Sequence, residues 1–395
     1  MEEIANYEDA LKYLDDRIIF GIKEGLERIN LLAERFGNPQ DFFESIHVTG
    51  TNGKGSVCAM LSEILQADGK KVGLFTSPHL ESYCERMKIN GENISESEFA
   101  EIIALIKHFD IPATHFEVLT AAAFAYFASK NVDIAVIEVG LGGTWDSTNI
   151  ITPKISVITN VALEHEKILG DLKSIARNKA GIIKKNIPVV TGATGEPLEI
   201  IREVARKNNS PLYEVTKPAD VKINLQGEFQ KMNAAIAIQT ARVLKIPDEK
   251  IFSALEKVSW PGRFEIIETN FGKIIIDGAH NPHGAAALRE SLEKNFPTGK
   301  RNFIFGALAD KNIDEMIKIL FRKDDFVIVA EPDSYRAEKS KNICGKLKNL
   351  GIECIETENI FDAVEKLKNL DGIKIAAGSL YLIGDVRKIL TKSYS

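Results

Sequence analysis

What this sequence has little of narrows the reading first. It holds four cysteines, Cys58, Cys84, Cys344 and Cys354, and no CxxC pair among them. That spacing offers neither a zinc site nor a regular disulfide framework, so four reduced thiols in a cytoplasmic protein are expected. No apolar run approaches the roughly twenty residues of a membrane helix. The most apolar stretch, Ala121 to Ala128, is far too short. The opening MEEIANYEDALKYLDD is acidic and amphipathic and lacks the basic and apolar regions of a signal peptide. Lysine and arginine form no block, and the formal net charge is −6. Both facts argue against the phosphate backbone of a nucleic acid as main partner. Any anionic ligand must be met by local groups.

What is present is an alternation. The 395 residues are enough for two or three domains. Apolar runs at 45–49, 72–76, 133–139 and 155–161 read as strands, and helical spacing fills 56–67, 97–109 and 118–128. Strands that are apolar at nearly every position suit a sheet covered on both faces. The pattern weakens near 210–226 and returns as a helix at 230–244, followed by the turn signal Trp260-Pro261-Gly262. A second alternation follows, with strands at 273–277, 302–306, 325–330, 351–355 and 373–377. The expected architecture is α/β: a P-loop-type, doubly wound parallel-sheet domain over 1–259, then a smaller Rossmann-like α/β domain over 260–395.

The strongest motif is His47-Val48-Thr49-Gly50-Thr51-Asn52-Gly53-Lys54-Gly55-Ser56, between a strand and a helix. Glycines let the backbone turn tightly. Its N–H groups and the helix amino end form a cradle for phosphate oxygens. Lys54 adds a mobile charge for the outer phosphates, and Ser56 offers a hydroxyl to magnesium. The spacing departs from GxxxxGK[ST], which needs Gly at 48 and Ser or Thr at 55, where this chain has Val48 and Gly55. A glycine turn without a ligand is the bland alternative, and Lys and Ser in this context argue against it.

This variant loop resembles that of the Mur ligase superfamily, which forms amide bonds through acyl phosphates. Gly55-Ser56 with Thr76-Ser77-Pro78-His79-Leu80 is similar to the folylpolyglutamate synthase and dihydrofolate synthase branch. Further motifs agree in order and spacing. They include Glu138-Val139-Gly140-Leu141-Gly142-Gly143, Ile158-Thr159-Asn160, Asn178-Lys179-Ala180-Gly181, Trp260-Pro261-Gly262-Arg263 and Asp277-Gly278-Ala279-His280-Asn281-Pro282.

The resemblance implies an ATP-dependent ligase that adds L-glutamate to dihydropteroate, to a folate glutamate carboxylate, or to both. A Mur-type ligase for another acceptor, a small-molecule kinase and a non-catalytic nucleotide-binding module are its rivals. The resemblance implies ATP contacts at Asn52, Gly53, Lys54, Gly55, Asn233, Arg263, Asp277 and His280, with Arg263 at the hinge between the domains. It implies two magnesium ions on Ser56, Ser77, Glu138 and His165. Lys54, His165 and Lys179 are the expected catalytic residues. By the same resemblance Lys179 is carbamylated, which needs the neutral amine; burial near cations favours that form. The family's usual Glu before this lysine is Asn178 here. Thr114, His115, Phe116, Glu117, Trp145, Asp146 and Ser147 match contacts to the pterin or folate acceptor. Phe116 and Trp145 could stack on a pterin or simply pack in the core. Monomer is the family's default.

Overall fold

In the computed structural model, which describes residues 4–18, 21, 23–163 and 166–393, the chain forms two compact units. One comprises Met1–Pro78, Ser82–Ile223 and Met232–Val258; the other His79–Glu81, Asn224–Lys231 and Ser259–Ser395. The short pieces His79–Glu81 and Asn224–Lys231 thus group with the residues after 258, although both precede the turn at Trp260.

In the first unit eight strands form one sheet. They are β1 Glu44–Thr49, β2 Val72–Phe75, β3 Met87–Ile89, β4 Glu92–Asn93, β5 Ile134–Glu138, β6 Ile155–Ile158, β7 Val189–Thr191 and β8 Leu212–Glu214. Their order is β4-β3-β2-β5-β1-β6-β7-β8. From β2 to β8 all neighbours are parallel, while β3 and β4 add an antiparallel edge. The chain builds outward from β1 to one side and then to the other. The strand order therefore reverses at β1, where open α/β sheets bind ligands.

The second unit holds β9 Glu265–Thr269, β10 Gly272–Asp277, β11 Arg301–Phe305, β12 Phe326–Val329, β13 Glu353–Glu356 and β14 Ile373–Ala377. Their order is β13-β12-β11-β14-β10-β9, parallel except for the β9–β10 pair. The run Ile274-Ile275-Ile276 shows why such strands read as continuous apolar stretches. Ile274 and Ile276 join the cluster with Leu382, Ile383 and Val386. Ile275, between them, joins Phe303, Phe305 and Leu288 on the opposite face. Side chains alternate across a strand. With helices on both faces, each position is worth about 1.5–3 kcal/mol of burial.

The structure differs from the sequence reading at the weak strands. β3, β4, β7, β8 and β9 were not expected, being two to five residues long and, except for the buried β7, in part exposed. β6 stops at Ile158 rather than 161, because Thr159 and Asn160 turn away to bond a neighbouring loop. The expectation of four reduced thiols is also corrected. Cys58 and Cys84 are free and buried, but Cys344 and Cys354 form a disulfide between the helix Ser340–Asn349 and β13. The helix packs back beside the strand and brings their Cα atoms to 6.1 Å, within bonding reach. A ten-residue separation gave no sign of it. Among the described residues no helix is long and apolar enough to cross a membrane.

Candidate active site

The carboxyl ends of four adjacent parallel strands carry the first unit's chemistry. β1 runs into the phosphate loop, β2 into Thr76-Ser77, β5 ends on Glu138, and β6 leads to Thr159-Asn160. Register aligns them: Val48 pairs with Glu138, Phe75 with Ile137 and Thr49 with Ile158.

The loop is shaped from the β6 side. Asn52 N–H donates to Asn160 Oδ1 at 3.0 Å, and Asn52 O accepts from Thr159 Oγ1 at 2.7 Å and Asn160 Nδ2 at 2.9 Å. Gly50 has φ 150° and Gly53 φ 81°. A Cβ on Gly50 would stand 1.9 Å from Thr159 Oγ1, so the contact itself demands glycine. One on Gly53 would stand 2.3 Å from Asn233 Oδ1, which puts Asn233 against the loop. Gly53 caps the helix Lys54–Ala67 without a side-chain hydrogen bond, and Gly55 and Ser56 lie buried in its first turn. Amide groups at such an end can receive an anion.

Two lysines meet at this loop. Lys54 Nζ donates to Gly50 O at 2.9 Å and to Thr51 O at 3.2 Å. Lys179 Nζ donates to the same Gly50 O at 2.8 Å. Lys179 is 1% exposed, on the last turn of the helix Leu172–Ala180. The loop after β5 closes over that end: Thr144 N and Oγ1 both donate to Asn178 O, while Gly142 and Gly143 leave no room for a Cβ beside Asn178 and Lys179.

Glu138 is 3% exposed and accepts the Ser77 N–H at 3.1 Å. Burial of the Cys58 thiol, with a further push from the Glu138 charge, drives its pKa well up, while Lys54 acts on the same thiol in the opposite sense, so both charges lie near this helix turn. Glu138 and the hydroxyls of Ser56 and Ser77 are hard oxygen donors, the set that suits a divalent cation such as magnesium. His165 and Glu164 lie outside the described residues. Among the described residues no three His, Cys, Asp or Glu side chains gather as a complete metal site, so phosphate oxygens and water would supply the remaining ligands.

The residues expected at the acceptor surround the helix His115–Ser129 and the loop after β5. Thr114 caps that helix, and Glu117 completes the capping box from 2.7 Å. Glu117 also pairs with Arg28 at 3.0 Å, both largely buried. Arg28 went unnoticed in the sequence, where nothing marks a lone arginine on an amphipathic helix. His115 bonds Tyr83 Oη at 3.0 Å; burial, helped by the Arg86 charge, lowers its pKa to about 4. Phe116 stacks on Phe75 with centroids 5.8 Å apart and lies against Gly140. Its packing partners are therefore internal. Trp145 is half exposed. Asp146 is buried and accepts from Leu141 N at 2.8 Å and from Thr148 N at 3.0 Å. Ser147 Oγ bonds Thr120 Oγ1 at 2.6 Å.

In the second unit Arg263, Asp277 and His280 gather about Gly278, at the carboxyl end of β10. Asp277 accepts from Phe264 N and Ala279 N, each at 2.8 Å. Burial raises its pKa, and the Arg263 charge opposes this. Arg263 Nη1 would stand 2.2 Å from a Cβ on residue 278. His280 Nδ1 bonds Gly278 O at 2.7 Å.

Comparison with known proteins places this architecture. Residues 48–215 match the Mur ligase middle domain, and residues 262–379 the Mur ligase, glutamate ligase domain. The dihydrofolate synthase/folylpolyglutamate synthase of Bacillus subtilis is 35% identical, over 97% of this chain and 99% of its own. The chain belongs to the folylpolyglutamate synthase/dihydrofolate synthase family. As a member it is an ATP-dependent ligase. The fold agrees closely with solved structures of the family. Escherichia coli FolC in complex with DHPP and ADP has a TM-score of 0.91 at 29% identity, over 99% of both chains. The Yersinia pestis bifunctional folylpolyglutamate synthase/dihydrofolate synthase with Mn, AMPPNP and L-glutamate bound has a TM-score of 0.89 at 29% identity, over 99% of both chains.

Proposed function

We propose that this enzyme joins L-glutamate to the carboxylate of dihydropteroate, of a folate glutamate, or of both, through an acyl phosphate, releasing ADP and phosphate. In this reading residues 1–259 bind ATP and the acceptor, and residues 260–395 serve the glutamate-ligase half. The observation that carries it is the convergence of Lys54 and Lys179 on Gly50 O, beside a helix amino end that the side chain of its cap residue does not bond. Lys54 is the cation there, aimed where phosphate charge is held and moved.

Each group then has a task. An acceptor carboxylate oxygen attacks the γ-phosphorus of ATP, and the bond to the ADP oxygen breaks. Lys54 follows the transferring group, leaving the loop carbonyls for phosphate oxygens. Asn52, Gly53, Gly55, Asn233, Arg263, Asp277 and His280 are the proposed nucleotide contacts. The glutamate amine attacks the acyl carbon, loses a proton, and phosphate departs. Two magnesium ions, when bound on Ser56, Ser77, Glu138 and His165, supply charge neutralisation for the phosphoryl group.

Lys179 fits the proposed carbamate. Its side chain is buried and its amine shares the Gly50 carbonyl with that of Lys54. The ammonium gives up one proton to become the neutral amine, which adds CO₂ and loses a second proton; the charge goes from +1 to −1 and the carbamate provides an anionic oxygen for metal.

ADP release with each component omitted tests the reading. Release that needs ATP, L-glutamate and either dihydropteroate or tetrahydrofolate is expected. Release with acceptor alone at the same rate indicates a kinase, and release only with other carboxylates indicates another Mur-type ligase.

A further inference from the structure

Strand β1 holds a second set of polar groups that the phosphate chemistry does not use. His47 and Thr49 are two apart, so both point to one face. Each is wholly buried, and each reaches the loop that follows β5. Thr49 Oγ1 donates to Gly142 O at 2.6 Å, and His47 Nε2 lies 2.8 Å from Thr148 Oγ1. Thr148 Oγ1 in turn donates to Asp146 Oδ1 at 2.5 Å. A line of hydrogen bonds therefore runs from the strand feeding the phosphate loop to Asp146.

Counting donors and acceptors sets the direction of that line. Burial raises the Asp146 pKa, and the N–H groups of Leu141 and Thr148 with the Thr148 hydroxyl oppose that shift, a donor set that suits an ionised carboxylate. Thr148 has one hydroxyl proton and spends it on Asp146, so it must accept from His47. The imidazole is then the neutral Nε2–H tautomer, with a bare Nδ1. The structure agrees: among the described residues Nδ1 is buried and meets no hydrogen-bond partner. A proton on Nδ1 would be a stranded donor, so the opposite direction is disfavoured. Burial, with a smaller push from the Lys184 charge, lowers the His47 pKa to about 3 and keeps the ring neutral. Lys184 is itself tied to Asn149 O at 2.8 Å, on the same loop.

We propose that His47 and Thr148 are positioning residues for the acceptor: they fix Asp146 as an ionised, hydrogen-bond-accepting carboxylate and tie its loop to the strand that enters the phosphate loop. The inference rests on the reading above that Asp146 faces the pterin or folate. It assigns to His47, a residue ahead of the phosphate loop, an effect on acceptor binding and not on ATP.

The test must separate positioning from stability. His47→Leu takes one donor from the Thr148 hydroxyl, which keeps its bond to Asp146, whereas Thr148→Val strands the His47 N–H and also takes a donor from Asp146; both lower the melting temperature, Thr148→Val the more. The double variant His47→Leu/Thr148→Val relieves the stranded His47 N–H, while the Thr148 bond to Asp146 stays lost. Positioning predicts that its melting temperature rises above that of Thr148→Val while its KM for the acceptor stays raised about tenfold, the value of one hydrogen bond to a charged group. ATP binding, measured by calorimetry without acceptor, stays within about twofold, well inside a tenfold change of 1.4 kcal/mol. His47→Gln, whose amide can donate in place of Nε2, keeps a KM near the native value. Acceptor KM that recovers together with the melting temperature, or a KM unchanged in every variant, overturns the inference alone. Native enzyme that turns over neither dihydropteroate nor tetrahydrofolate overturns both the inference and the reading beneath it.

Discussion

Lys54 and Lys179 direct their amines at the same oxygen, the carbonyl of Gly50, from 2.9 and 2.8 Å. They come from helices well apart in the chain, Lys54–Ala67 and Leu172–Ala180. One is half-buried and able to swing toward a nucleotide. The other is enclosed and fixed.

Lys54→Ala is expected to remove turnover and leave the fold intact. The side chain's bonds are to its own loop, and no core packing depends on it. Loss of one preorganised cation at a moving phosphoryl group costs at least about 3 kcal/mol in the transition state, roughly a hundredfold in kcat. Steady-state kinetics on a variant with native circular dichroism checks this; near-native kcat removes Lys54 from the chemistry.

Lys179→Ala tests the carbamate. A small acid such as acetate is expected to restore part of the activity by standing in for the lost carboxylate, and depletion of CO₂ is expected to slow the native enzyme. Full activity of Lys179→Ala without added acid eliminates the carbamate role.

Gly50→Ala is expected to be inactive for a reason of shape. The new Cβ would meet Thr159 Oγ1 at 1.9 Å, and φ 150° is strained for alanine. The companion Thr159→Ala/Gly50→Ala removes the clash but not the strain, so it should regain only part of the ATP binding. Full ATP affinity in Gly50→Ala alone contradicts the described loop.

Stability is expected to fall on mild acidification. His47 and His115 have folded pKa values lowered to about 3 and about 4 by burial, below the ordinary 6.5. Between pH 6.5 and about 4 the unfolded chain binds protons that the folded chain refuses, so stability decreases as pH falls. Each group contributes at most about 1.4 kcal/mol per pH unit in that window. Melting temperatures of the native protein and of His115→Gln check the sign; the variant's curve should be flatter below pH 6.5.

Arg263→Ala is expected to slow turnover and to raise the Asp277 pKa further, since the arginine charge is the largest influence opposing burial there, ahead of the Phe264 and Ala279 N–H groups. Asp277→Asn keeps the shape but not the charge, and should lose less activity than Arg263→Ala if the guanidinium alone meets phosphate. Kinetics of the two variants side by side decides this; equal and complete losses would point to the pair acting as one unit.

Much of this was legible in the sequence where one residue type had one physical job. The glycines and Lys54 of the phosphate loop could be read because a strand-to-helix turn with those residues has few other uses. The buried strands could be read because runs such as Ile274 to Ile276 face helices on both sides. What could not be read depends on partners distant in the chain. Thr148 lies 101 residues from His47, and Arg28 lies 89 from Glu117. Glu117 and Asp146 matched acceptor contacts by motif, yet the structure also gives them internal work, as a helix cap and as the centre of a loop. No pattern of apolar periodicity carries such double duty. The Cys344–Cys354 bond was hidden for the same reason, because only the packing of helix on strand brings the pair together.

The central claim is amide formation through an acyl phosphate, and the most direct measurement follows oxygen. An acceptor whose carboxylate is labelled with ¹⁸O is turned over with ATP and L-glutamate, and the released phosphate is analysed by mass spectrometry. An acyl phosphate must hand one carboxylate oxygen to phosphorus, so phosphate carrying a single ¹⁸O in step with amide product is predicted. Unlabelled phosphate accompanying labelled amide would contradict the account.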